Sequence, residues 1–103
     1  MHVIKLPAPP YYAVIAPAEL RGMPADYLER AQHLMALAQT VPGFLGIEAS
    51  VQRGFSLAVS YWESLEAIAA WRRNSEHVLA KRAAPEHWFT AYATRIARVE
   101  RAY

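Results

Sequence analysis

The fold can be read first from FLGIEASVQ at residues 44–52, which is followed by Arg53-Gly54 and by FSLAVSYW at residues 55–62. Two strand-forming runs separated by a two-residue turn that contains glycine predict a β-hairpin. Successive side chains of a strand point to opposite faces, and Ala58 and Trp62 interrupt the otherwise polar face of the second run. A sheet with one face in water shows a cleaner alternation, so we expect both faces of this sheet to be covered.

A first helix is predicted before the hairpin. Apolar residues recur at spacings of three and four between Tyr27 and Val41, which is the period of an amphipathic helix. Asp26 followed by Glu29 forms an aspartate version of the capping box. Pro42-Gly43 is a breaker pair and is expected to end the helix.

A second helix is predicted after the hairpin, because Ser64 is a favourable N-cap for a helix that begins at Leu65. Asn74-Ser75 predicts a break and a second cap, after which the helix is expected to restart and continue through Arg82. Pro85 disfavours helical geometry in the residue before it, so the helical region is expected to end there.

Two further strands complete the order of elements. The β-rich run Tyr11–Ala16 is expected to stop near Pro17, because proline cannot donate to a strand ladder, and Phe89–Arg101 is expected to form one last strand. Residues 1–10 contain three prolines and predict an extended N-terminal arm, which leaves residues 11–103 as a single domain. The order β-α-β-β-α-β predicts an α+β, ferredoxin-like fold.

The composition indicates more apolar surface than one copy can cover. Hydrophobic residues make up 54% of the 103 residues and charged residues 19%, against roughly 45–50% and about 25% in ordinary domains. In the predicted fold the two helices cover only one face of the sheet. We therefore expect a homodimer in which a second copy covers the other face.

Several site classes and compartments are disfavoured by composition. The chain has no cysteine, which excludes disulfides and thiolate chemistry, and its four histidines show no metal-ligand spacing, so no metal site is expected. No apolar run approaches the roughly 18 residues of a membrane span, and no secretory signal is recognisable. We expect a cytoplasmic protein without a membrane partner.

Nucleic-acid binding is also disfavoured. Arg53-Gly54-Phe55 matches the opening of an RNA-binding strand signature, but Leu57 and Ser60 occupy the positions where that signature needs aromatic rings to stack on bases. The net charge is only +2, which is not the excess that phosphate contacts require. A glycine hairpin followed by a core strand explains the match better.

Aromatic residues are the most unusual feature of the sequence. In the predicted topology, the space between helices and sheet could collect several of them, and an aromatic pocket with few polar groups suits a flat, hydrophobic ligand. Ordinary core and dimer packing is the alternative for each. The candidate substrate-binding residues are Trp62, Trp71, Trp88, Tyr92 and Tyr12.

His77 is the polar candidate for catalysis. If Ser75 caps a restarted helix, His77 lies in its first turn, where the positive end of the helix dipole favours a neutral imidazole. A neutral imidazole can act as a base or as a ligand. A surface histidine on a polar turn is the alternative.

Three segments of the sequence form a recognisable set: VPGFLGIE at residues 41–48, SYWESLEAI at residues 60–68 with Trp71, and RIARVERAY at residues 95–103. Together they resemble the antibiotic biosynthesis monooxygenase domain family. The resemblance runs from about Tyr12 to the C-terminus, and it implies a dimeric α/β barrel in which two ferredoxin-like sheets pack face to face. It also implies oxidation of a small aromatic substrate by O₂, often without metal or flavin.

The members of the family that this chain resembles do not all share one activity. Some bind and degrade haem with an asparagine on the first strand, a tryptophan on the second helix and an axial histidine further along that helix. Trp71 matches the tryptophan, the axial position falls nearer Lys81 than His77, and the run Tyr11–Ala16 has no asparagine. The expectation is a monooxygenase that needs no cofactor, with haem binding and a non-catalytic dimer that holds a hydrophobic ligand as the alternatives.

Overall fold

The computed structural model describes residues 3–22, 27–81 and 89–103, except for the side chains of residues 76–81. Within these ranges, five strands and two helices follow one another in an α+β arrangement. They are β1 (Tyr11–Leu20), α1 (Tyr27–Ala38), β2 (Phe44–Gln52), β3 (Phe55–Trp62), α2 (Leu65–Lys81), β4 (Phe89–Tyr92) and β5 (Arg95–Val99). None of the helices in these ranges is long and apolar enough to cross a membrane.

The sheet is antiparallel and has the order β2-β3-β1, with β4 and β5 sharing the fourth position beside β1. This order confirms the predicted ferredoxin-like fold. The hairpin between β2 and β3 also has the predicted bounds. Arg53 and Gly54 both have positive φ, 53° and 78°, which is the two-residue turn whose twist matches that of the flanking strands.

The first strand is longer than predicted, because Pro17 lies inside β1 instead of ending it. Pro17 pairs with Leu57 of β3, and its carbonyl accepts a hydrogen bond from the Ala93 N–H at 3.1 Å. Its ring nitrogen faces the same side, where the fourth strand is interrupted between β4 and β5. The missing N–H therefore falls opposite this interruption, and the strand continues.

The second helix is continuous, so the predicted break at Asn74-Ser75 is wrong. The Ser64 hydroxyl accepts a hydrogen bond from the Ala67 N–H at 3.1 Å, which confirms the predicted N-cap. Ser75 caps nothing, because its hydroxyl donates to the Arg72 carbonyl of the preceding turn at 3.1 Å. His77 therefore lies in the fourth turn of α2. It is not in a first turn, so the helix dipole gives no reason to expect a neutral imidazole there.

The inner face of the sheet, which faces the helices, forms the main core. Trp62 and Ile68 are the largest fully buried side chains, and Val14 and Ala38 pack in the same cluster. Four residues used in the sequence predictions lie outside the described residues, namely Asp26, Arg82, Pro85 and Trp88.

The outer face of the sheet is covered at one end by the N-terminal arm, residues 3–10. The Ile4 N–H donates to the Glu48 carboxylate at 3.2 Å, and the same carboxylate accepts a hydrogen bond from the Tyr61 hydroxyl at 2.7 Å. At the other end of this face, Phe55 and Leu57 are 46% and 40% exposed. The outer face is thus closed by the chain itself at one end and apolar and open at the other.

Candidate functional site

A cavity of about 500 Å³ lies between α1 and the inner face of the sheet. Its size falls in the range of small-molecule sites in proteins. The sheet forms its floor, one side of α1 forms its roof, and aromatic side chains close its two ends.

The floor is low because three alanines lie side by side across three strands. Ala58 of β3 pairs with Ala16 of β1 on one side and with Ala49 of β2 on the other. Paired residues on neighbouring strands share a face, and a methyl group is the smallest side chain that such a row can present. This alanine row therefore leaves a trench beneath α1, flanked by one row of Val14, Ser60 and Ile47 and another of Ala18, Ser56 and Val51.

The roof comes from one stripe of α1. Leu28, Ala31 and Met35 line the cavity at helical spacing, and Ala38 continues the stripe towards Trp62. Ala38 is buried against the core whereas Leu28 remains 57% exposed. The helix is thus seated on the core at its C-terminal end and stands over the trench at its N-terminal end.

One end of the cavity is formed by Trp62 and its neighbours. The Trp62 and Trp71 rings are stacked, with centroids 6.1 Å apart and an interplanar angle of 24°. The Phe44 ring meets Trp62 edge-on at 5.1 Å. The Trp62 indole Nε1 donates to Ser60 Oγ at 2.9 Å, so both the ring and its only polar atom are held in place.

The other end is formed by Tyr27, Phe89 and Tyr92. The Tyr27 hydroxyl donates to Ser56 Oγ at 3.2 Å, and both residues are buried. Phe89 packs edge-on against Tyr27 at 6.3 Å and contacts Tyr92 at 5.7 Å. Tyr92 is 65% exposed, which places it at the mouth.

The described lining is electrically neutral. Its polar groups are hydroxyls, the indole N–H groups of Trp62 and Trp71 and one amide, Gln32, and it includes no Asp, Glu, His, Lys or Arg. Burying a charge without a partner is costly, so such a lining favours a neutral ligand.

No group of three or more His, Cys, Asp or Glu residues placed to share a metal ion occurs among the described residues. Trp62, Trp71 and Tyr92, three of the predicted substrate-binding residues, all line the cavity. Tyr12 instead packs against the core cluster beside Trp62, its partner across the strands. Trp88 and the side chain of His77 lie outside the described residues.

Sequence reasoning missed the floor of the cavity, and it missed Tyr27 at the end that Tyr92 also forms. The alanine row comes from three separate strands, and alanines carry no chemical signal before the register is known. Ser60 and Tyr27 were assigned only to strand and helix patterns. The alternation of small residues Ser56, Ala58 and Ser60 on one face of β3 was the available signal.

Residues 20–84 match the model of the family described as antibiotic biosynthesis monooxygenase. YqjZ of Bacillus subtilis (strain 168), an uncharacterized protein, is 42% identical over 98 residues, which cover 94% of this chain and 86% of YqjZ.

Two solved structures illustrate the likeness of fold. A mutant form of SnoaB, a cofactor-independent oxygenase from Streptomyces nogalater, superposes with a TM-score of 0.72 at 15% identity, covering 91% of this chain and 97% of that one. PA3566 from Pseudomonas aeruginosa gives a TM-score of 0.68 at 20% identity, covering 93% and 98%. The family match, together with the 42% identity over nearly the whole chain, shows that this protein belongs to the antibiotic biosynthesis monooxygenase family.

Proposed function

We propose that the protein is a small monooxygenase that oxidises an aromatic or quinol-like substrate with O₂ in the cavity beneath α1, without metal or flavin. The observation that carries the proposal is the neutral cavity of about 500 Å³ over the alanine row, in a chain of this family. The trench between α1 and the sheet suits a flat ring. Its mainly apolar lining favours a ring without charge.

A phenol or quinol can supply the electrons for this reaction itself. Loss of the hydroxyl proton makes the ring electron-rich enough to reduce O₂. In the oxidation of a phenol to a quinone, one oxygen atom enters the ring and the other leaves as water, with no external reductant. The protein then has to hold the ring, exclude water and accept a proton.

His77 is the proposed proton acceptor. Its backbone lies in α2, the helix that also carries Trp71 of the cavity wall. A histidine base gives an activity that rises with pH through the imidazole pKa. The test compares His77→Gln with wild type for oxygen uptake across about pH 5 to 8. Loss of both the activity and its pH dependence supports the assignment, and an unchanged pH profile removes it.

A second candidate function is non-catalytic binding of a hydrophobic ligand. It is favoured by one observation, that the described lining of the cavity contains no carboxylate or imidazole that could serve as a base. Binding and catalysis share the same cavity, so they differ only in turnover.

Substrate-dependent oxygen consumption separates the two functions. Purified protein is assayed with an oxygen electrode against a panel of quinols and polyketide-like phenols, with heat-treated protein as the control for autoxidation. Uptake that needs folded protein supports the monooxygenase. Ligand binding without uptake across the panel supports the binding function. A haemin titration of wild type and His77→Ala tests the haem alternative, because a saturable Soret band that shifts in the variant would make His77 an axial ligand, and no specific band would remove this alternative.

We also propose a homodimer that forms through the open end of the outer face. The exposed side chains of Phe55 and Leu57 provide the apolar contact, and the N-terminal arm restricts it to that end. Light scattering should give twice the chain mass of 11.6 kDa. Leu57→Lys should shift the protein to monomer, whereas Leu65→Lys, a change at an exposed leucine on α2, should not. A monomeric wild type at micromolar concentration would contradict the proposal.

A further inference from the structure

We propose that Ser60 determines ligand specificity, by donating a hydrogen bond from its hydroxyl to a neutral carbonyl oxygen on a planar ring that lies over the alanine row. This inference rests on the proposed use of the cavity as the ligand site. It assigns to one side chain the recognition of an oxygen substituent, and it does not require that the ligand be turned over.

The direction of the hydrogen bond at Ser60 is set by Trp62. An indole N–H can only donate, so Ser60 Oγ is the acceptor in their 2.9 Å contact. Trp62 is completely buried between Phe44 and Trp71, so the indole cannot readily turn away. The Ser60 proton is then left for another acceptor, and none is found for it among residues whose side chains the structure describes.

The position of Ser60 places that proton at the edge of the trench. Ser60 and Ala58 lie two residues apart on the same face of β3, a separation of roughly 7 Å along the strand. A ring lying above Ala58 therefore extends an oxygen substituent towards Ser60. Ser60 is part-buried and lines the cavity, so it is shielded from bulk water and still reachable from the trench.

Ser56, at the opposite side of the alanine row, is not equivalent to Ser60. Its hydroxyl oxygen already accepts from Tyr27, and the residue is only 7% exposed. Both serines accept one hydrogen bond from an aromatic residue, but Ser56 is buried whereas Ser60 is only part-buried and can be reached from the trench. This asymmetry gives a ligand with one oxygen a preferred orientation, with that oxygen at the Trp62 end.

The lining also indicates which kind of oxygen is recognised. A carboxylate or phosphate would be buried without a cationic partner among the described lining residues, at a large cost. A ketone or quinone oxygen needs only a donor, which Ser60 supplies. The ligand class is therefore a neutral planar ring that carries a carbonyl group.

The test measures the affinities of wild type and variants for two probes of the same ring shape, 1,4-naphthoquinone and naphthalene. The measurement is equilibrium dialysis without oxygen. The chain has no cysteine, so the quinone has no thiol to modify. Ser60→Ala should weaken naphthoquinone binding about three- to tenfold, as expected for one hydrogen bond, and leave naphthalene binding unchanged. Ser60→Thr, which keeps the hydroxyl, should retain the wild-type preference.

The double variant Tyr27→Phe/Ser56→Ala is the control, since it removes both hydroxyls at the other side of the alanine row, and it should change the two affinities equally. Equal weakening of both probes by Ser60→Ala would show a merely structural role and overturn the proposal. So would a failure of either probe to bind wild type. The affinity measurements need no turnover. If the protein consumes no oxygen but Ser60→Ala selectively weakens naphthoquinone binding, the role of Ser60 stands and the monooxygenase function is excluded.

Discussion

Gly43 packs directly on Ala67 of α2, so closely that a Cβ added to Gly43 would lie 2.7 Å from the Ala67 Cβ. The Gly43 carbonyl also accepts a hydrogen bond from the Glu63 N–H at 2.8 Å. These contacts join the start of β2 to the segment between β3 and α2. They hold the Trp62 end of the cavity together.

Gly43→Ala should destabilise the protein by about 2–4 kcal/mol, because φ is +95° and the new methyl group meets a side chain that cannot rotate away. Gly54→Ala is the matched control, since its φ is +78° but nothing lies within 4 Å of an added Cβ. It should cost only the backbone contribution, about 1–2 kcal/mol. Urea unfolding measures both variants, and equal losses would show that the Ala67 contact is unimportant.

Ala58→Leu should fill the trench. We expect ligand affinity or oxygen uptake to fall by about tenfold or more, because the new side chain occupies the place of the ring, while the melting temperature stays equal or rises as the void is filled. Val59→Ile, a change on the same strand that points to the outer face, should leave the cavity unaffected. Retained affinity in Ala58→Leu would place the ligand elsewhere.

Tyr61 should make stability fall at alkaline pH. Burial, followed by the hydrogen bond to Glu48 and its negative charge, raises the Tyr61 pKa from 10.0 to about 12. The unfolded chain then loses this proton at lower pH than the folded chain, so the stabilisation is complete below pH 10 and is lost as pH rises from 10 to about 12. Urea unfolding across that range should show a shallower decline in Tyr61→Phe than in wild type. Identical slopes would contradict the raised pKa.

The hydrogen bond between Tyr27 and Ser56 should contribute to stability at the mouth end of the cavity. Tyr27→Phe leaves a buried serine hydroxyl without its partner and should cost about 1–2 kcal/mol. Ser56→Ala should cost a similar amount, and the double variant should cost less than the sum, because the two changes remove the same bond. Additive losses in thermal or urea unfolding would show that the two residues act independently.

Much of the fold could be predicted from local patterns. The bounds of β2 and β3, the N-cap Ser64 and the start of α2 at Leu65 all agree with the structure. The errors arose where context overrides local preference. Pro17 stays in its strand because its nitrogen lies opposite the interruption of the neighbouring strand. Asn74-Ser75 stays helical, with the Ser75 hydroxyl bonded back to the Arg72 carbonyl of its own helix.

The site was predictable only in part. Trp62 and Trp71 were chosen as large aromatic residues near the junction of strand and helix, and the structure stacks them. The contact of Ser60 with Trp62 joins residues two apart on one face, but nothing in the sequence shows that an indole would turn towards the serine. The N-terminal arm was predicted to be extended, whereas its contact with Glu48 depends on the folded sheet.

Local patterns in the chain are enough to predict the types of the elements, the turn at Arg53-Gly54 and the two faces of each strand, because these depend on backbone preferences and on a period of two or about 3.6 residues. The row of Ala16, Ala49 and Ala58 exists only in the folded sheet, because it depends on register. Pairing between strands aligns residues that are distant in the chain, and a shift of one residue would turn these alanines to the opposite face and close the cavity.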